Sequence, residues 1–393
     1  MEKEYALILA GGGTRGAYQV GVWKALQDLN INIKLIAGTS IGSLNGALML
    51  QDDIDGMIDL YQNIEVKDIM EVSEKVDTKR NLFDLKNIRA IAKEYFANKG
   101  IDNEPLRNTI NKYIDLDKIY SSNIDYGLVT YSIDNKAPLQ LYKDQIPKDE
   151  FVDFILASSC LPIFKAQKIG NFEFIDGAFY DNIPINMAIQ KGYKNIIVAD
   201  IEGTGLNRRM IDKNVYLKVI SPNEKLGGTL NFDHERIKNN IALGYLDTMR
   251  SFNKMQGHIY YFKSKEFNKM LEAFNLQTIY GLENAAKIYG INKYKAYNFE
   301  EFIEEVAQKH NEAKEEYVKI KEQLKKQLDE KNKNVKKLRE TINIIFNSNL
   351  GICFVTDLYL DKPMSKSFDY LRNFIQDYMD SVEALLELEC YLN

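Results

Sequence analysis

One serine lies in a pattern that activates serines for nucleophilic attack. Gly38-Thr39-Ser40-Ile41-Gly42 has the form Gly-x-Ser-x-Gly, between an apolar run and a segment with helical spacing. In a strand–turn–helix context this pattern forms a nucleophile elbow, whose glycines allow a sharp turn that exposes the serine hydroxyl. An ordinary strand–helix turn gives the same pentapeptide about as often. Ser40 is therefore a candidate nucleophile that needs a base and an oxyanion site.

A glycine-rich loop precedes this serine. Gly11-Gly12-Gly13-Thr14-Arg15-Gly16 contains Gly-x-Gly-x-x-Gly after an apolar run and before a helical pattern. A dinucleotide-binding fold would place an acidic residue at the end of the second strand, but the run from Ile31 to Ala37 ends without one. A P-loop is excluded because no Gly-Lys-Ser/Thr follows. The loop amides at a helix start favour negative charge, either a phosphate or a developing oxyanion.

The base is predicted to be a carboxylate. All three histidines, His234, His258 and His310, lie far downstream, and the sequence around each predicts a surface position. Asp176 ends a short apolar strand and is followed by Gly177. A partly desolvated carboxylate can accept a serine proton directly, although Asp-Gly alone is also a common turn dipeptide.

Two other carboxylates compete with Asp176 for this role. Neither Asp181 nor Asp200 is followed by glycine at a strand end, and Asp200 is expected to cap the next loop. Ser43, Ser158 and Ser159 are predicted to be structural. Arg15 is predicted to bind a local partner at the helix start, with a lipid phosphate as the alternative.

Alternating strand and helix patterns predict a parallel α/β sheet, because short connections join the elements. The predicted strands are Tyr5–Ala10, Ile31–Ala37, Tyr126–Tyr131, Leu139–Tyr142, Phe172–Ile175, Asn195–Asp200 and Val215–Ile220. The predicted helices are Thr14–Leu29, Ile41–Leu50, Phe151–Ser158 and Pro184–Gln190, with further helix over residues 51–115.

Beyond about residue 232 the pattern is helical. From Val306 to Ile345 apolar residues recur mostly three or four apart among dense Lys and Glu. The pattern favours a long exposed helix that lays one stripe on the body of the protein. An intermolecular coiled coil and a basic membrane-surface helix stay open as alternatives.

The composition is that of a globular protein and excludes several classes. A net charge of −5 gives no attraction to nucleic acid, and three widely spaced cysteines match neither a disulfide framework nor a zinc site. No apolar run approaches the roughly 18 to 20 residues of a membrane-spanning helix. The start, Met1 to Glu4, lacks the features of a signal peptide. We expect a cytoplasmic location with peripheral membrane contact, without metal or cofactor.

Taken together, the motifs resemble those of the patatin-like phospholipase family. Gly11 to Gly16 is similar to its oxyanion motif, Gly38 to Gly42 to its nucleophile elbow, and Asp176-Gly177-Ala178 to its Asp-Gly-Ala/Gly motif. Ala157 to Pro162 is similar to the segment ahead of the family's aspartate, and Phe232 to Arg250 to the helix after the core of bacterial members. The resemblance covers roughly residues 4–250.

The resemblance implies a patatin-like three-layer sandwich with a mainly parallel central sheet, divided into a catalytic domain over residues 1–250 and a helical region over residues 251–393. It also implies a Ser40–Asp176 dyad that hydrolyses acyl esters of lipids at a membrane or micelle surface. The implied oxyanion hole consists of amides of Gly11, Gly12, Gly13 and Ile41. The implied motif residues are Arg15, Gly16, Gly38, Gly42, Gly177 and Ala178.

Two alternatives stay open at the level of function. The enzyme could act on soluble acyl esters or thioesters, or the domain could be a non-catalytic scaffold whose charged helix binds a partner. The C-terminal helices could also join a second copy of the chain.

Overall fold

The chain divides into two units, Met1–Ser251 and Phe252–Asn393. The computed structural model describes residues 3–71, 87, 100–329, 340, 343–346, 348–361 and 372–393. Part of the predicted helical stripe, residues 330–339, lies outside the described residues.

The first unit is built on an eight-stranded sheet. Its strands are β1 (Tyr5–Leu9), β2 (Ile33–Thr39), β3 (Asp125–Ser132), β4 (Ala137–Tyr142), β5 (Gln167–Ile169), β6 (Phe172–Asp176), β7 (Asn195–Ala199) and β8 (Tyr216–Ile220). The order is β5-β6-β3-β2-β1-β7-β8, and β4 also pairs with β3. The five strands β3, β2, β1, β7 and β8 are parallel, whereas β4 and β6 run antiparallel to β3.

Helices cover both faces of this sheet. They are α1 (Ala17–Asp28), α2 (Ile41–Met49), α3 (Ile54–Asn63), α4 (Glu104–Tyr113), α5 (Leu116–Ser121), α6 (Phe151–Ser158), α7 (Ile185–Gln190) and α8 (His234–Ser251). Ala6 and Ile8 of β1 pack with Met187 of α7, whereas Leu9 and Ile36 face Gly46 of α2. Successive residues of a strand point to opposite faces of the sheet. Because helices cover both faces, the sequence of β1 is a continuous apolar run. The predicted α/β fold with a mainly parallel central sheet is confirmed.

The topology places the candidate residues at one edge of the sheet. From β1 the chain crosses to β2 on one side, and β7 later joins β1 on the other side. Ligands of open α/β sheets bind at the carboxyl ends of the strands where the strand order reverses in this way. The glycine-rich loop follows β1 and Ser40 follows β2, so both lie at this edge.

The second unit is helical with a small sheet. Its elements are β9 (Met255–Gln256), β10 (Tyr261–Lys263), α9 (Ser264–Ala273), α10 (Leu276–Ile288), β11 (Ala296–Tyr297), α11 (Phe299–Asp329), α12 (Gly351–Asp361) and α13 (Arg372–Leu392). The sequence prediction of helix alone beyond residue 232 missed the three-stranded sheet β11-β10-β9. Strands of two or three residues are too short to show a period of two.

The apolar stripe of α11 lies in the second unit's own core. Ala313 and Tyr317 are buried there together with Ile345, Phe262 and Leu385. Among the described helices, none combines the length and the apolar character that a membrane span requires.

Candidate active site

Ser40 occupies a strained turn between β2 and α2. Its φ of 56° and ψ of −128° lie in a region that residues other than glycine rarely adopt. Gly38 and Gly42 allow this turn. A Cβ on Gly38 would lie 2.3 Å from the carbonyl of Gly42, and a Cβ on Gly42 would lie 2.3 Å from the carbonyl oxygen of Leu9. The turn therefore brings β1, β2 and the start of α2 into backbone contact and holds Ser40 at the sheet edge.

Two serines hold the backbone of this turn. The Ser40 N–H donates to Ser158 Oγ at 3.0 Å, and the Ser158 hydroxyl donates to the Val129 carbonyl at 2.7 Å. The Ser40 carbonyl accepts from the N–H of Ser43 at 2.8 Å and from its hydroxyl at 2.6 Å. Ser158 and Ser43 thus fix the orientation of Ser40 from two sides.

Asp176 accepts the hydrogen bond of the Ser40 hydroxyl. The distance from Ser40 Oγ to Asp176 Oδ2 is 2.7 Å, and Asp176 Oδ1 accepts from the Ala178 N–H at 2.8 Å. The Asp176 N–H donates to the Cys160 carbonyl at 2.9 Å. Burial raises the pKa of Asp176 to about 6, although the hydrogen bonds from Ala178 and Ser40 lower it. The buried carboxylate is therefore both oriented toward the hydroxyl and more basic than an exposed aspartate.

Gly177 is required next to this carboxylate. A Cβ on Gly177 would lie 2.2 Å from the carbonyl oxygen of Val129 in β3. Because Thr130 pairs with Asp176 in the antiparallel register, the end of β6 lies directly beside β3. The Asp-Gly dipeptide therefore lets β6 end against the neighbouring strand with the carboxylate facing Ser40.

The glycine-rich loop is anchored at both ends and lies against Ser40. The Gly11 N–H donates to the Asn182 carbonyl at 3.2 Å, and the Thr14 N–H donates to the Thr229 carbonyl at 2.8 Å. A Cβ on Gly11 would lie 3.1 Å from the Cβ of Ser40.

The anchoring decides which loop amides are free. Across the part of the chain that the structure describes, the N–H groups of Gly12 and Gly13 meet no protein acceptor, and both glycines line a cleft with Ser40. The sequence prediction also included Gly11 in the oxyanion hole, but its N–H donates to the Asn182 carbonyl, unlike those of Gly12 and Gly13.

Hydrogen bonds of Arg15 and Gly16 stabilise the glycine-rich loop. Arg15 donates from Nε to the Gly227 carbonyl at 2.8 Å and from a terminal nitrogen to the Glu202 carbonyl. The Gly16 carbonyl accepts from Asn45 Nδ2 at 3.0 Å. The local partners of Arg15 agree with the structural role predicted for it.

A buried amide network, which the sequence analysis missed, links this loop to α2. Asn45 of α2 donates to Gln19 Oε1 at 2.8 Å and accepts from the Tyr61 hydroxyl at 3.0 Å. Gln19 of α1 donates in turn to the Ala10 carbonyl at 2.8 Å. The partners are distant in sequence, so the signal that the sequence offered was a polar residue at an otherwise apolar position in each of the two helices.

Two cavities meet at Ser40. A cleft of about 760 Å³ is lined by the glycine-rich loop, Asp176, Thr229 and residues of the three segments 161–163, 178–182 and 204–206. A narrower pocket of about 80 Å³ is lined mainly by apolar residues, namely Leu44, Leu60, Ile64, Ile69, Leu106, Ile110, Phe164, Leu230 and Phe232. Gly13, Ser40 and Leu161 line both cavities. The serine hydroxyl therefore lies where a wide cleft opens into an apolar pocket.

Histidine takes no part in this arrangement. Among the described residues that line the two cavities there is no histidine. His234 and His258 are exposed, as predicted. His310 is buried, which contradicts the prediction, because its ring lies between the Tyr289 hydroxyl at 2.7 Å and Glu389 at 3.2 Å.

The two competing carboxylates have other partners. Asp200 accepts from the Glu202 N–H at 2.9 Å and so caps its loop. Asp181 is buried and accepts from the Arg208 N–H at 3.3 Å, and burial raises its pKa to about 6.

Comparison with known proteins identifies the domain that holds these residues. A family model described as patatin-like phospholipase matches residues 7–189. The chain carries a patatin-like phospholipase domain. The match includes the glycine-rich loop, the Ser40 turn and the Asp176 segment.

Relatives of the patatin-like domain are much longer proteins. The patatin-like phospholipase domain-containing protein 6 of Mus musculus is 27% identical over 196 residues, which are 50% of this chain and 13% of that protein. The lysophospholipase NTE1 of Scheffersomyces stipitis is 30% identical over 198 residues, 50% of this chain and 11% of that protein. The chain thus spans about an eighth of the length of these relatives.

Among solved structures, VipD from Legionella pneumophila is similar with a TM-score of 0.42 and 13% identity, over 100% of this chain and 88% of that chain. The type III effector ExoU gives a TM-score of 0.30 and 12% identity, over 98% of this chain and 78% of that chain.

Proposed function

We propose that this protein is a lipid acyl hydrolase of the phospholipase A type, in which Ser40 and Asp176 form the catalytic dyad. The observation that carries the proposal is the 2.7 Å hydrogen bond from the Ser40 hydroxyl to the buried carboxylate of Asp176. The patatin-like phospholipase domain and the similarity to lysophospholipases support a lipid ester as the substrate.

In the acylation step Ser40 Oγ attacks the ester carbonyl carbon while Asp176 accepts the hydroxyl proton. The bond between carbonyl carbon and alcohol oxygen then breaks, and Asp176 returns the proton to the departing alcohol. Water attacks the acyl-serine in the second step, again giving its proton to Asp176. The fatty acid leaves, and the proton returns to Ser40.

The oxyanion of each tetrahedral intermediate is assigned to backbone amides. The N–H groups of Gly12 and Gly13 line the same cleft as Ser40. The N–H of Ile41 lies in the first turn of α2, where the helix dipole favours negative charge. Loss of one such donor typically lowers the rate by about 10² to 10³.

The two cavities suit a substrate that is apolar at one end. The acyl chain is assigned to the apolar pocket that contains Leu44, Leu106 and Phe232, and the alcohol side to the wider cleft. Transfer of each chain CH₂ from water into such a pocket contributes about 0.8 kcal/mol. A cytoplasmic location at the membrane surface is part of the proposal, supported by the three unpaired cysteines Cys160, Cys353 and Cys390.

Incubation of the protein with a mixed phospholipid extract, followed by mass spectrometry, tests the proposal. We expect free fatty acids and lysophospholipids from the wild type and none from Ser40→Ala. A fluorophosphonate probe should label the wild type and not Ser40→Ala.

Ser132→Ala is the matched control, because Ser132 is a buried serine of β3 whose hydroxyl accepts from the Asn135 N–H. It should be labelled like the wild type. Labelling of folded Ser40→Ala would contradict the nucleophile assignment. Turnover of soluble thioesters or short esters with no release from lipids would favour an esterase or thioesterase.

A further inference from the structure

Apolar residues that line the cleft also reach solvent. We call four of them, Pro162, Ile163, Phe179 and Leu206, the cleft rim. Phe179 is 47% exposed and Leu206 is 57% exposed. Large exposed apolar side chains grouped around a binding cleft mark a surface that contacts another apolar phase.

The backbone holds the cleft rim in a fixed place. The Leu206 N–H donates to the Ala178 carbonyl at 2.9 Å, and the Asn182 N–H donates to the Leu206 carbonyl at 2.6 Å. Phe179 follows the Asp176 turn in the chain, and backbone hydrogen bonds hold the segment of Leu206 beside it.

Positive charge lies next to the cleft rim. Residues 207–213 contain three basic residues, Arg208, Arg209 and Lys213, and one acidic residue, whereas the net charge of the chain is −5. The acidic residue, Asp212, is already paired with Lys194 at 2.8 Å. Both arginines are exposed.

Arg208 is held beside the cleft rim. Its guanidinium lies 4.0 Å from the centre of the Tyr180 ring, and its Nε donates to the Tyr180 carbonyl at 2.9 Å. Tyr180 directly follows Phe179 in the chain. Apolar and cationic side chains therefore occur together on the surface at this edge of the sheet.

We propose that the cleft rim docks on a lipid bilayer that carries anionic headgroups. The proposal rests on the lipid acyl hydrolase function and names the surface that supplies its substrate. Phe179 and Leu206 enter the boundary between headgroups and acyl chains, while Arg208 and Arg209 contact lipid phosphates. A lipid that leaves the bilayer between these side chains enters the cleft that leads to Ser40.

Flotation of the full chain with vesicles tests the docking. The vesicles contain ether-linked phosphatidylcholine, alone or with ether-linked phosphatidylglycerol, so no acyl ester is present to be hydrolysed. We expect the wild type to float with the anionic vesicles. Phe179→Ser/Leu206→Ser should weaken this binding by about tenfold or more, because two apolar side chains are lost from the contact.

A charge variant and two controls complete the set. Arg209→Gln should weaken binding to the anionic vesicles about fivefold at low salt and leave binding to neutral vesicles unchanged. Tyr216→Ser is the matched apolar control, since Tyr216 is 52% exposed at the start of β8, the sheet edge opposite Ser40. Lys3→Gln, just before β1, is the matched charge control. Both controls should bind like the wild type.

The docking is overturned if folded Phe179→Ser/Leu206→Ser floats like the wild type, or if Tyr216→Ser loses as much binding. A parallel assay of the wild type on a soluble short-chain ester separates the two proposals. Rim-dependent flotation without ester or lipid hydrolysis would overturn the hydrolase function and keep the surface. Hydrolysis with rim-independent flotation would overturn the docking alone.

Discussion

Burial gives Asp176 a basicity that an exposed aspartate lacks. An unperturbed aspartate has a pKa of about 3.9, whereas an unperturbed histidine has a pKa of about 6.5. Burial raises the pKa of Asp176 to about 6. A single carboxylate held 2.7 Å from the Ser40 hydroxyl can therefore fill the place that an imidazole fills in a Ser-His-Asp triad.

The rate effect of Asp176→Asn tests this role. The amide keeps the shape but accepts no proton, so we expect kcat to fall by about 10² or more. Asp181→Asn is the matched control, because burial also raises the pKa of Asp181 to about 6 while the Ser40 hydroxyl donates to Asp176 instead. Its kcat should stay within a few-fold of the wild type. Equal losses in the two variants would exclude a specific role for Asp176.

Asp176→Asn, which should lower kcat, should also make the folded protein more stable at high pH. Since burial raises the folded pKa of Asp176 above the unperturbed value of about 3.9, folding favours its protonated form. Stability therefore decreases as pH rises from about 4 through 6. At pH 8 Asp176→Asn should therefore raise the free energy of unfolding, by up to about 3 kcal/mol. Thermal unfolding at pH 8 and at pH 3.5 measures this gain, which should vanish at the lower pH. A lower Tm at pH 8 would show that the hydrogen bonds of Asp176 outweigh its desolvation.

The pH profile of hydrolysis reports the base independently. The rate should rise with pH through about 6, where Asp176 loses its proton, and then reach a plateau. His234→Gln/His258→Gln should keep this profile, because both residues are exposed. His310→Gln is measured separately because His310 is buried. A folded histidine variant without activity would point to an imidazole base.

At the scale of elements, the positions that were predictable are those with local causes. The runs of β1 and β2 end in glycines, and the Ser40 turn needs small residues at 38 and 42 because backbones meet there. These signals lie within a few residues of one another. The burial of His310 and the role of Asn45 depend on Glu389 and Gln19, which lie 79 and 26 residues away, so a local pattern does not identify these partners.

The second unit shows the same limit. Glu283 of α10 is buried and accepts from the N–H groups of His258 at 3.0 Å and Tyr260 at 2.9 Å, and also from Ile259 between them. This carboxylate holds the segment that leads into β10. A glutamate in a helix normally predicts an exposed position, and only the fold places three backbone donors around it.

The end of α6 is an element whose position should affect catalysis. Ser158 is its last residue and accepts the N–H of Ser40 at 3.0 Å. Ser158→Ala should lower kcat by about tenfold with little change in KM, because the strained turn loses its partner. Ser132→Ala removes one side-chain hydrogen bond of a buried serine of β3, so it should lower the free energy of unfolding by about 1 kcal/mol and leave kcat unchanged. Identical kcat values for the two variants would refute a positioning role for Ser158.

At the scale of the whole molecule, each unit has its own apolar core, and the described residues that line the two candidate cavities belong to the first unit. Tyr260, Phe262 and Met270 of the second unit are buried against residues that follow position 295, among them Phe302 and Leu385. The place at which the chain is cut should therefore matter more than the length that is removed.

Two truncations test this organisation. A chain that ends at residue 295 keeps Tyr260, Phe262 and Met270 but loses the helices that bury them, so it should bind the dye ANS and precipitate on mild heating. A chain that ends at residue 251 lacks Tyr260, Phe262 and Met270 and so exposes no apolar surface from the second unit's core. Although it is shorter, it should unfold cooperatively and hydrolyse a soluble short-chain ester at a rate close to that of the full chain. Circular dichroism, ANS fluorescence and ester turnover on both fragments decide the matter. If the fragment that ends at residue 295 is as soluble as the fragment that ends at residue 251 and unfolds as cooperatively, residues 252–295 need no later helices. If the fragment that ends at residue 251 is folded but inactive, the second unit contributes to the site.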